Sequence, residues 1–172
     1  IDPTKKGVQG LILCPTRELA LQVSGQIDLL GKYLKIQSLP IYGGASYIPQ
    51  IHGLKQGATI VVGTPGRVID HLNRGSLKLD SINTLILDEA DEMISMGFKE
   101  ELDIVLTSVP KGQSKIWLFS ATMSREVRRV ADTYLKKPAQ VQVNRTEVLS
   151  STVKQFFYRA RESDKPEILS KL

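Results

Sequence analysis

Cysteine and long apolar runs are both scarce in this chain of 172 residues. Cys14 is the only cysteine, which excludes an internal disulfide and predicts a small buried residue in a reducing, cytoplasmic compartment. The apolar runs are only a few residues long, far short of the roughly 20 residues that a membrane-spanning helix needs. A chain of this length that is 41% hydrophobic is expected to fold as a globular domain with its own core.

Basic and acidic residues are equal in number over residues 1–124. The net charge is 23 − 18 = +5. Residues 1–124 hold 12 basic and 12 acidic residues, whereas residues 125–172 hold 11 basic and 6 acidic residues. A basic excess is typical of nucleic-acid-binding proteins, but here it lies outside the half that carries the motifs described below. An anion site in that half must therefore be built from specific groups.

One stretch, 84–91, organises the rest of the sequence. Its apolar residues predict a strand buried on both faces of a parallel sheet, and Asp88 and Glu89 follow directly. At the end of such a strand, Asp88 is placed to hold Mg²⁺ on a nucleotide and Glu89 to orient or deprotonate an attacking water. The alternative is a solvated acidic turn that caps the helix beginning near Ala90. The stretch alone favours neither.

Short apolar runs alternate with helical segments of about 10–15 residues, a pattern that predicts βαβ units and a parallel sheet. The predicted strands are 8–14, 36–42, 58–62, 84–87, 115–119 and 140–143. The predicted helices begin after the first, second, third, fourth and fifth of these strands, and the helix after the fourth is interrupted near Gly97.

Five polar or glycine-rich segments each follow one of these strands. They are Pro15-Thr16-Arg17, Gly43-Gly44, Thr64-Pro65-Gly66-Arg67, Asp88-Glu89 and Ser120-Ala121-Thr122. Because parallel strands present their carboxyl ends at one edge of the sheet, we expect all five to share a functional rim.

Three of these segments suit a phosphate. Thr64 and Pro65 predict a capped helix start whose free N–H groups face an anion, and Arg67 adds a charged donor. Pro15-Thr16-Arg17 repeats this pattern, and Gly43-Gly44 lets a ligand approach the backbone. Each has an ordinary alternative: a capped helix, a solvated arginine or a glycine turn. Together they favour a groove that follows a nucleic-acid backbone without reading its bases.

The order and spacing of these segments resemble those of the DEAD-box ATP-dependent RNA helicases. The segments Pro15-Thr16-Arg17-Glu18-Leu19-Ala20 and Asp88-Glu89-Ala90-Asp91, together with the other three, carry the likeness. The residues around Asp88, followed by Met96-Gly97-Phe98, are similar to the bacterial cold-shock-type and translation-initiation members. The resemblance covers residues 8–172. It implies an α/β fold, namely a RecA-like three-layer α/β/α domain with a mostly parallel sheet, followed by the start of a second RecA-like domain.

The resemblance also implies roles. Asp88 would hold Mg²⁺ through water and Glu89 would activate the hydrolytic water of ATP. Asp91, Ser120 and Thr122 would form a polar latch that links the nucleotide state to RNA binding and strand separation. The implied RNA-backbone contacts are Pro15, Thr16, Arg17, Gly43, Gly44, Thr64, Pro65, Gly66 and Arg67.

The phosphate loop of the family, Gly-x-x-x-x-Gly-Lys-Ser/Thr, does not occur in this chain. We therefore expect residues 1–143 to be the first RecA-like domain truncated at its N-terminus, 144–152 to be the linker, and 153–172 to be the first strand and helix of a truncated second domain. Lacking a strand and a helix, the sheet should expose an apolar face that includes Leu11 and Leu13. Missing helicase segments or another chain would complete it.

These expectations describe a fragment of an ATP-dependent RNA helicase that binds RNA backbone non-specifically and couples ATP hydrolysis to local unwinding. The fragment alone is expected to be inactive. A rival from another class is an ATP-independent RNA-binding or scaffold module that uses only the phosphate-suited segments. A DNA translocase is a weaker rival, because nothing beyond the acidic pair matches one.

Overall fold

A computed structural model describes residues 1–34, 36–110, 112–142, 154 and 156–171. Its strands are β1 (Gly10–Leu13), β2 (Ser38–Ile41), β3 (Ile60–Gly63), β4 (Thr84–Leu87) and β5 (Lys115–Leu118). Its helices are α1 (Arg17–Gly31), α2 (Tyr47–Gln56), α3 (Pro65–Asn73), α4 (Ala90–Ser95), α5 (Lys99–Ser108), α6 (Arg125–Tyr134) and α7 (Lys165–Lys171), with a 3₁₀ turn at Glu162–Asp164. Within the described ranges, no helix is long and apolar enough to cross a membrane.

The five strands form one sheet in the order β2-β3-β1-β4-β5, and every pairing is parallel. The predicted α/β class with a parallel sheet is therefore confirmed. The register aligns Leu13 with Gly63 and with Leu87, Gly63 with Ile41, and Leu87 with Leu118. These five residues are the last of their strands, so the carboxyl ends of the strands lie level along one edge.

Helices cover the sheet unequally on its two faces. The larger core lies on the face of Leu11, Leu13 and Leu87, where it also receives side chains from α2, α3, α4, α5 and α6. The smaller core lies on the opposite face, where α1 packs Ala20 and its neighbours against Val62. The domain thus has three layers, with α1 alone forming the main contacts of the smaller core.

The expected exposure of Leu11 and Leu13 is wrong, because both side chains are fully buried. Alternate residues of a strand face opposite sides of the sheet, and the odd-numbered residues of β1 face the well-covered side. On the other side, Ile12, Ile86 and Trp117 form one row across three strands; Ile12 and Ile86 are half-buried, whereas Trp117 is 53% exposed. The most exposed apolar side chain of this row therefore lies on β5.

The chain divides into two compact units, Ile1–Pro138 and Ala139–Leu172. In the described residues, all strands belong to the first unit. The predicted strand at 140–143 is wrong for residues 140–142, which are irregular and where Val141 is 91% exposed; Val143 lies outside the described residues. Lys154 and 156–158 are not strand either, whereas the expected C-terminal helix is present as α7. The predicted linker, 144–152, lies outside the described residues, so the domain boundaries stay a prediction.

Candidate nucleotide and nucleic-acid interface

The level edge of the sheet brings all five predicted segments together in a fixed spatial order. Following the strand order, Gly43-Gly44 comes first, then the segments that begin at Thr64 and Pro15, then Asp88-Glu89, and last Ser120-Ala121-Thr122. Four strand spacings of 4.7–4.9 Å give the row a width of about 19 Å. The phosphate-suited segments thus occupy one half of the rim and the carboxylates occupy the other, with β1 and β4 as the boundary.

Glu89 adopts an unusual backbone conformation at the end of β4. Its φ of 51° and ψ of 53° lie in the left-handed region, which costs a residue with a side chain on the order of 1–3 kcal/mol. Asp88 Oδ1 accepts a hydrogen bond from the Glu89 N–H at 3.1 Å, and the Ala90 N–H donates to the Phe119 carbonyl at 3.0 Å. These bonds hold the turn, so the exposed Glu89 carboxylate is presented at the rim.

The structure agrees only in part with the alternative interpretation of the acidic pair as a solvated turn that caps the helix. Glu89 occupies the N-cap position of α4, but its side chain makes no capping hydrogen bond. A capping side chain would accept from a free N–H of the first helical turn. The Glu89 carboxylate is therefore available for a ligand at the rim.

Asp91, Ser120 and Thr122 lie in direct contact, as their predicted latch role requires. Asp91 Oδ2 accepts from the Thr122 N–H at 2.9 Å and from its hydroxyl at 2.8 Å. The Asp91 N–H donates to Ser120 Oγ at 3.3 Å, and Ser120 Oγ donates to the Thr122 carbonyl at 2.7 Å. Burial favours the neutral form of Asp91, but the hydrogen bonds with Thr122 and Ser120 together outweigh it and lower the pKa of the carboxyl. A charged Asp91 therefore ties the start of α4 to the loop after β5.

The two helix starts in the phosphate-suited half differ in their hydroxyls. The Thr16 side chain caps α1 by accepting from the Leu19 N–H at 3.2 Å. Thr64 is the N-cap of α3 and Pro65 is the first residue of that helix, but the Thr64 hydroxyl makes no capping bond. Thr64 therefore keeps a hydroxyl, beside the free N–H groups of the first turn, that can serve a ligand.

Arg17 and Arg67 have opposite environments, although the same RNA-binding role is predicted for both. Arg17 is exposed, with its guanidinium 4.8 Å from the Tyr42 ring centre. Arg67 is only 8% exposed; its Nη1 donates to the Ala45 carbonyl at 2.9 Å and its guanidinium lies 4.0 Å from the Tyr47 ring centre. The Arg67 side chain therefore contacts Ala45 and Tyr47 inside the protein. Its contact with an RNA phosphate stays a prediction.

The segment 42–46, here called the GG loop, follows β2. Gly43 and Gly44 are exposed, and a Cβ on either would meet open space. Gly44 has a φ of 73°, which favours glycine at that position. Gly63, at the end of β3, is needed for a different reason, since a Cβ there would lie 2.8 Å from the Ile41 carbonyl. The sequence prediction did not single out Gly63, whose constraint depends on the neighbouring strand.

The carboxylates at the rim fit a magnesium ion that arrives with a nucleotide. In the part of the chain that the structure describes, no three His, Cys, Asp or Glu side chains form a group that could hold a metal by themselves. Mg²⁺ commonly keeps several waters and uses one or two carboxylates together with substrate phosphates. Asp88 and Glu89 provide such a pair, with Asp88 half-buried and Glu89 exposed.

Cys14 directly follows β1, the neighbour of β4 in the sheet, and is fully buried. Burial raises the pKa of its thiol to about 12, and the nearby Asp88 and Glu89 carboxylates add to the effect. A thiol with such a pKa is not a nucleophile near neutral pH. Cys14 therefore serves as a small buried residue, as the sequence predicted.

The family model of the DEAD/DEAH box helicases matches residues 1–130, and the chain therefore belongs to this family. Over all 172 residues it is 42% identical to the DEAD-box ATP-dependent RNA helicase CshA of Bacillus cereus, and 42% identical to the ATP-dependent RNA helicase CshA of Listeria monocytogenes. It covers 33% of each of these proteins, so the chain spans about a third of the length of the curated relatives it matches.

Two solved structures are similar to the whole chain or to most of it. A DEAD box protein from the hyperthermophile Methanococcus jannaschii matches with a TM-score of 0.81 and 38% identity over 99% of this chain and 45% of that one. The yeast DEAD-box splicing factor Prp28 matches with a TM-score of 0.73 and 33% identity over 77% of this chain and 32% of that one. The resemblance inferred from the motifs and the RecA-like fold are thus confirmed.

Proposed function

We propose that the protein containing this chain is an ATP-dependent RNA helicase, and that this chain supplies its acidic catalytic rim and half of its RNA groove. The observation that carries the proposal is the side-by-side placement of two kinds of segment on adjacent strands. The acidic pair follows β4, and a phosphate-suited helix start follows β1, its neighbour in the sheet. One rim can therefore serve a nucleotide and a nucleic-acid backbone together.

Each group of rim residues has a defined role in this proposal. Asp88 would hold Mg²⁺ through water on the ATP phosphates, where the ion neutralises developing charge. Glu89 would take a proton from the attacking water. The helix starts at Thr16 and Thr64 and the GG loop would bind RNA phosphates without reading bases. The network of Asp91, Ser120 and Thr122 would report the nucleotide state to the RNA-binding half.

The ATP-independent RNA-binding or scaffold module is not favoured by membership of a helicase family. RNA binding alone also leaves the exposed Glu89 carboxylate, held in a strained left-handed turn, without a purpose. A carboxylate at this position would repel an RNA phosphate. We place the protein in the cytoplasm, where its single buried thiol would stay reduced.

The experiment that tests the proposal measures ATP hydrolysis by the full-length protein with and without a single-stranded RNA, together with separation of a short RNA duplex. We expect RNA to stimulate hydrolysis and duplex separation to require hydrolysable ATP. Hydrolysis that ignores RNA, or RNA binding without any hydrolysis, would contradict the proposal. In the second case the scaffold module would become the better description.

A further inference from the structure

Three buried polar side chains are packed together beneath the GG loop. Gln50 on α2 is 5% exposed, and Arg67 and His71 on α3 are 8% and 0% exposed. Buried polar groups are costly unless they are hydrogen-bonded. Their bonds therefore show what the cluster does.

Two of the three side chains hold carbonyl groups of the GG loop. Gln50 Nε2 donates to the Tyr42 carbonyl at 3.3 Å and to the Ser46 carbonyl at 3.2 Å, which are the two ends of the loop. Arg67 Nη1 donates to the Ala45 carbonyl between them at 2.9 Å. In a trans peptide the N–H points away from its carbonyl, so the N–H groups of Gly43 and Ser46 point away from the cluster.

His71 fixes the orientation of the Gln50 amide. Because Gln50 uses its nitrogen for the loop carbonyls, its Oε1 is left to face His71 Nε2 at 3.1 Å, and that ring nitrogen must carry the proton. The other ring nitrogen, Nδ1, lies 2.8 Å from Ser76 Oγ. The ring is therefore held from both sides, in the tautomer that keeps the Gln50 nitrogen aimed at the loop.

Tyr47 joins the first turn of α2 to the same part of α3. Its ring centre lies 4.0 Å from the Arg67 guanidinium and 4.3 Å from that of Arg74, and its hydroxyl donates to Asp70 at 2.6 Å. The ring centres of Tyr47 and His71 are 5.4 Å apart. These contacts make α2, α3 and the GG loop one connected unit.

We propose that Gln50 and His71 are positioning residues for RNA binding. Neither touches the RNA. His71 orients the Gln50 amide, and that amide, together with Arg67, draws the loop carbonyls inward so that N–H groups of the GG loop face the RNA backbone. The claim that the GG loop binds RNA rests on the proposed function. The claim that Gln50 and His71 hold the GG loop in its conformation does not.

The experiment compares four single variants of the full-length protein and the double variant that combines His71→Leu with Gln50→Met. His71→Leu and Gln50→Met remove the hydrogen bonds while nearly keeping the volume, and His71→Gln restores a donor close to the position of Nε2. Ser24→Ala is the matched control, because Ser24 is also a buried hydrogen-bonded side chain, bonded to Ser38 at the opposite end of β2 from the loop. Each variant is measured for thermal midpoint, for hydrogen–deuterium exchange of a peptide covering 42–50, and for affinity to an oligouridine across a salt series.

We expect His71→Leu and Gln50→Met each to speed exchange in 42–50 and to weaken oligouridine binding by about tenfold. The double variant should lose no more than the larger single loss, because the two residues act in one chain. The salt slope should not change, because no charged phosphate contact is removed. His71→Gln should recover most of the affinity, and Ser24→Ala should lower the thermal midpoint while leaving exchange in 42–50 and RNA affinity unchanged.

Two results would overturn the inference. Unchanged exchange in 42–50 for folded His71→Leu and Gln50→Met would show that neither residue positions the loop. A smaller salt slope in either variant would show a direct phosphate contact instead. If the wild-type protein bound no oligouridine, the proposed function would fail on its own, while the exchange data would still decide whether these residues hold the loop.

Discussion

Asp91 and Thr122 are joined by two hydrogen bonds to one carboxylate oxygen, although 31 residues separate them in the sequence. Both the N–H and the hydroxyl of Thr122 donate to Asp91 Oδ2. If the hydroxyl alone is lost, the bond from the N–H remains. Ser120 adds a bond at each end, to the Asp91 N–H and the Thr122 carbonyl. The loop after β5 can therefore move away from α4 only by breaking several bonds together, which suits a two-state latch.

The first prediction concerns that latch. Ser120→Ala combined with Thr122→Ala should leave most of the ATPase activity of the full-length protein but sharply reduce RNA duplex separation per ATP hydrolysed. Neither hydroxyl is placed to act as a base, whereas both form bonds that can switch. A matched control is Thr107→Ala with Ser108→Ala on α5, which also removes two exposed hydroxyls, each bonded within the helix. Equal losses of hydrolysis and of duplex separation in the latch variant would place these residues in the chemistry.

A second prediction separates catalysis from strain at Glu89. Glu89→Gln should abolish ATP hydrolysis while ATP still binds, because glutamine keeps the shape but cannot take a proton from water. Glu89→Gly should be equally inactive yet about 1 kcal/mol more stable to denaturant than Glu89→Gln, because glycine adopts a φ of 51° without strain. Loss of ATP binding in a folded Glu89→Gln protein would show that the residue is structural. Equal stability of the two variants would mean that the turn stores no strain.

The third prediction uses the contrast between Arg17 and Arg67. Arg17→Ala should weaken binding to all RNA sequences alike and reduce the salt slope by about 0.7, the value for one phosphate contact on a single strand. Arg67→Ala should also weaken binding to all sequences but leave the slope nearly unchanged, because the Arg67 side chain is buried against Tyr47 and donates to the Ala45 carbonyl. Affinities of both variants measured across a salt series for two unrelated oligonucleotides check this. A slope that falls for Arg67→Ala would restore the direct contact expected from its sequence motif.

Features that could be predicted from the sequence depend on residues close together in the chain. The rim could be predicted because a buried parallel strand places whatever follows it at one edge, and that rule needs no knowledge of strand order. The helix break near Gly97 is also a local signal. These features depend on residues within a few positions of one another.

What escaped prediction depends on contacts between distant segments. Arg67 is buried because Ala45 and Tyr47, about 20 residues earlier, lie against it, and no local pattern reveals that. His71 and Gln50 were missed for the same reason; a lone polar residue on a helix carries no signal until its partner is known. The exposed surface was placed at Leu11 and Leu13 because strand order and helix coverage could not be deduced from the alternating pattern.

A fourth prediction concerns pH and His71. Burial lowers the pKa of His71 below 6.5, and Arg67 and Arg74 lower it further against the opposing effect of Asp70. Below pH 6.5 the unfolded chain binds a proton at this histidine that the folded chain does not, so the free energy of unfolding should fall as the pH drops from about 6.5 toward the folded pKa. Denaturant unfolding between pH 7.5 and about 5 checks this. His71→Gln should flatten the dependence, whereas replacing the exposed His52 by glutamine should not; the opposite pattern would assign the effect to His52.

The last prediction concerns residues 1–172 as an isolated polypeptide. In the described part of the chain, β5 pairs with β4 alone, and its Trp117 and the following Phe119 are 53% and 51% exposed. An edge strand with large exposed apolar side chains is a template for another strand. Covering such side chains gains about 1.5–3 kcal/mol each, against a total stability of about 5–15 kcal/mol. The polypeptide should therefore self-associate unless another segment of the helicase covers β5.

Size-exclusion chromatography with light scattering, combined with thermal melting, measures this association. Trp117→Arg should shift the 172-residue polypeptide toward the monomer, because a charged side chain on an edge strand opposes pairing with a second strand. Leu30→Arg is the matched control, since Leu30 is also an exposed apolar residue, on a helix that packs against β2 and β3 at the other end of the strand order from β5. If Leu30→Arg dispersed the association and Trp117→Arg did not, the contact would lie on α1. A monomeric wild-type polypeptide with a cooperative melt would show that the β5 surface needs no cover.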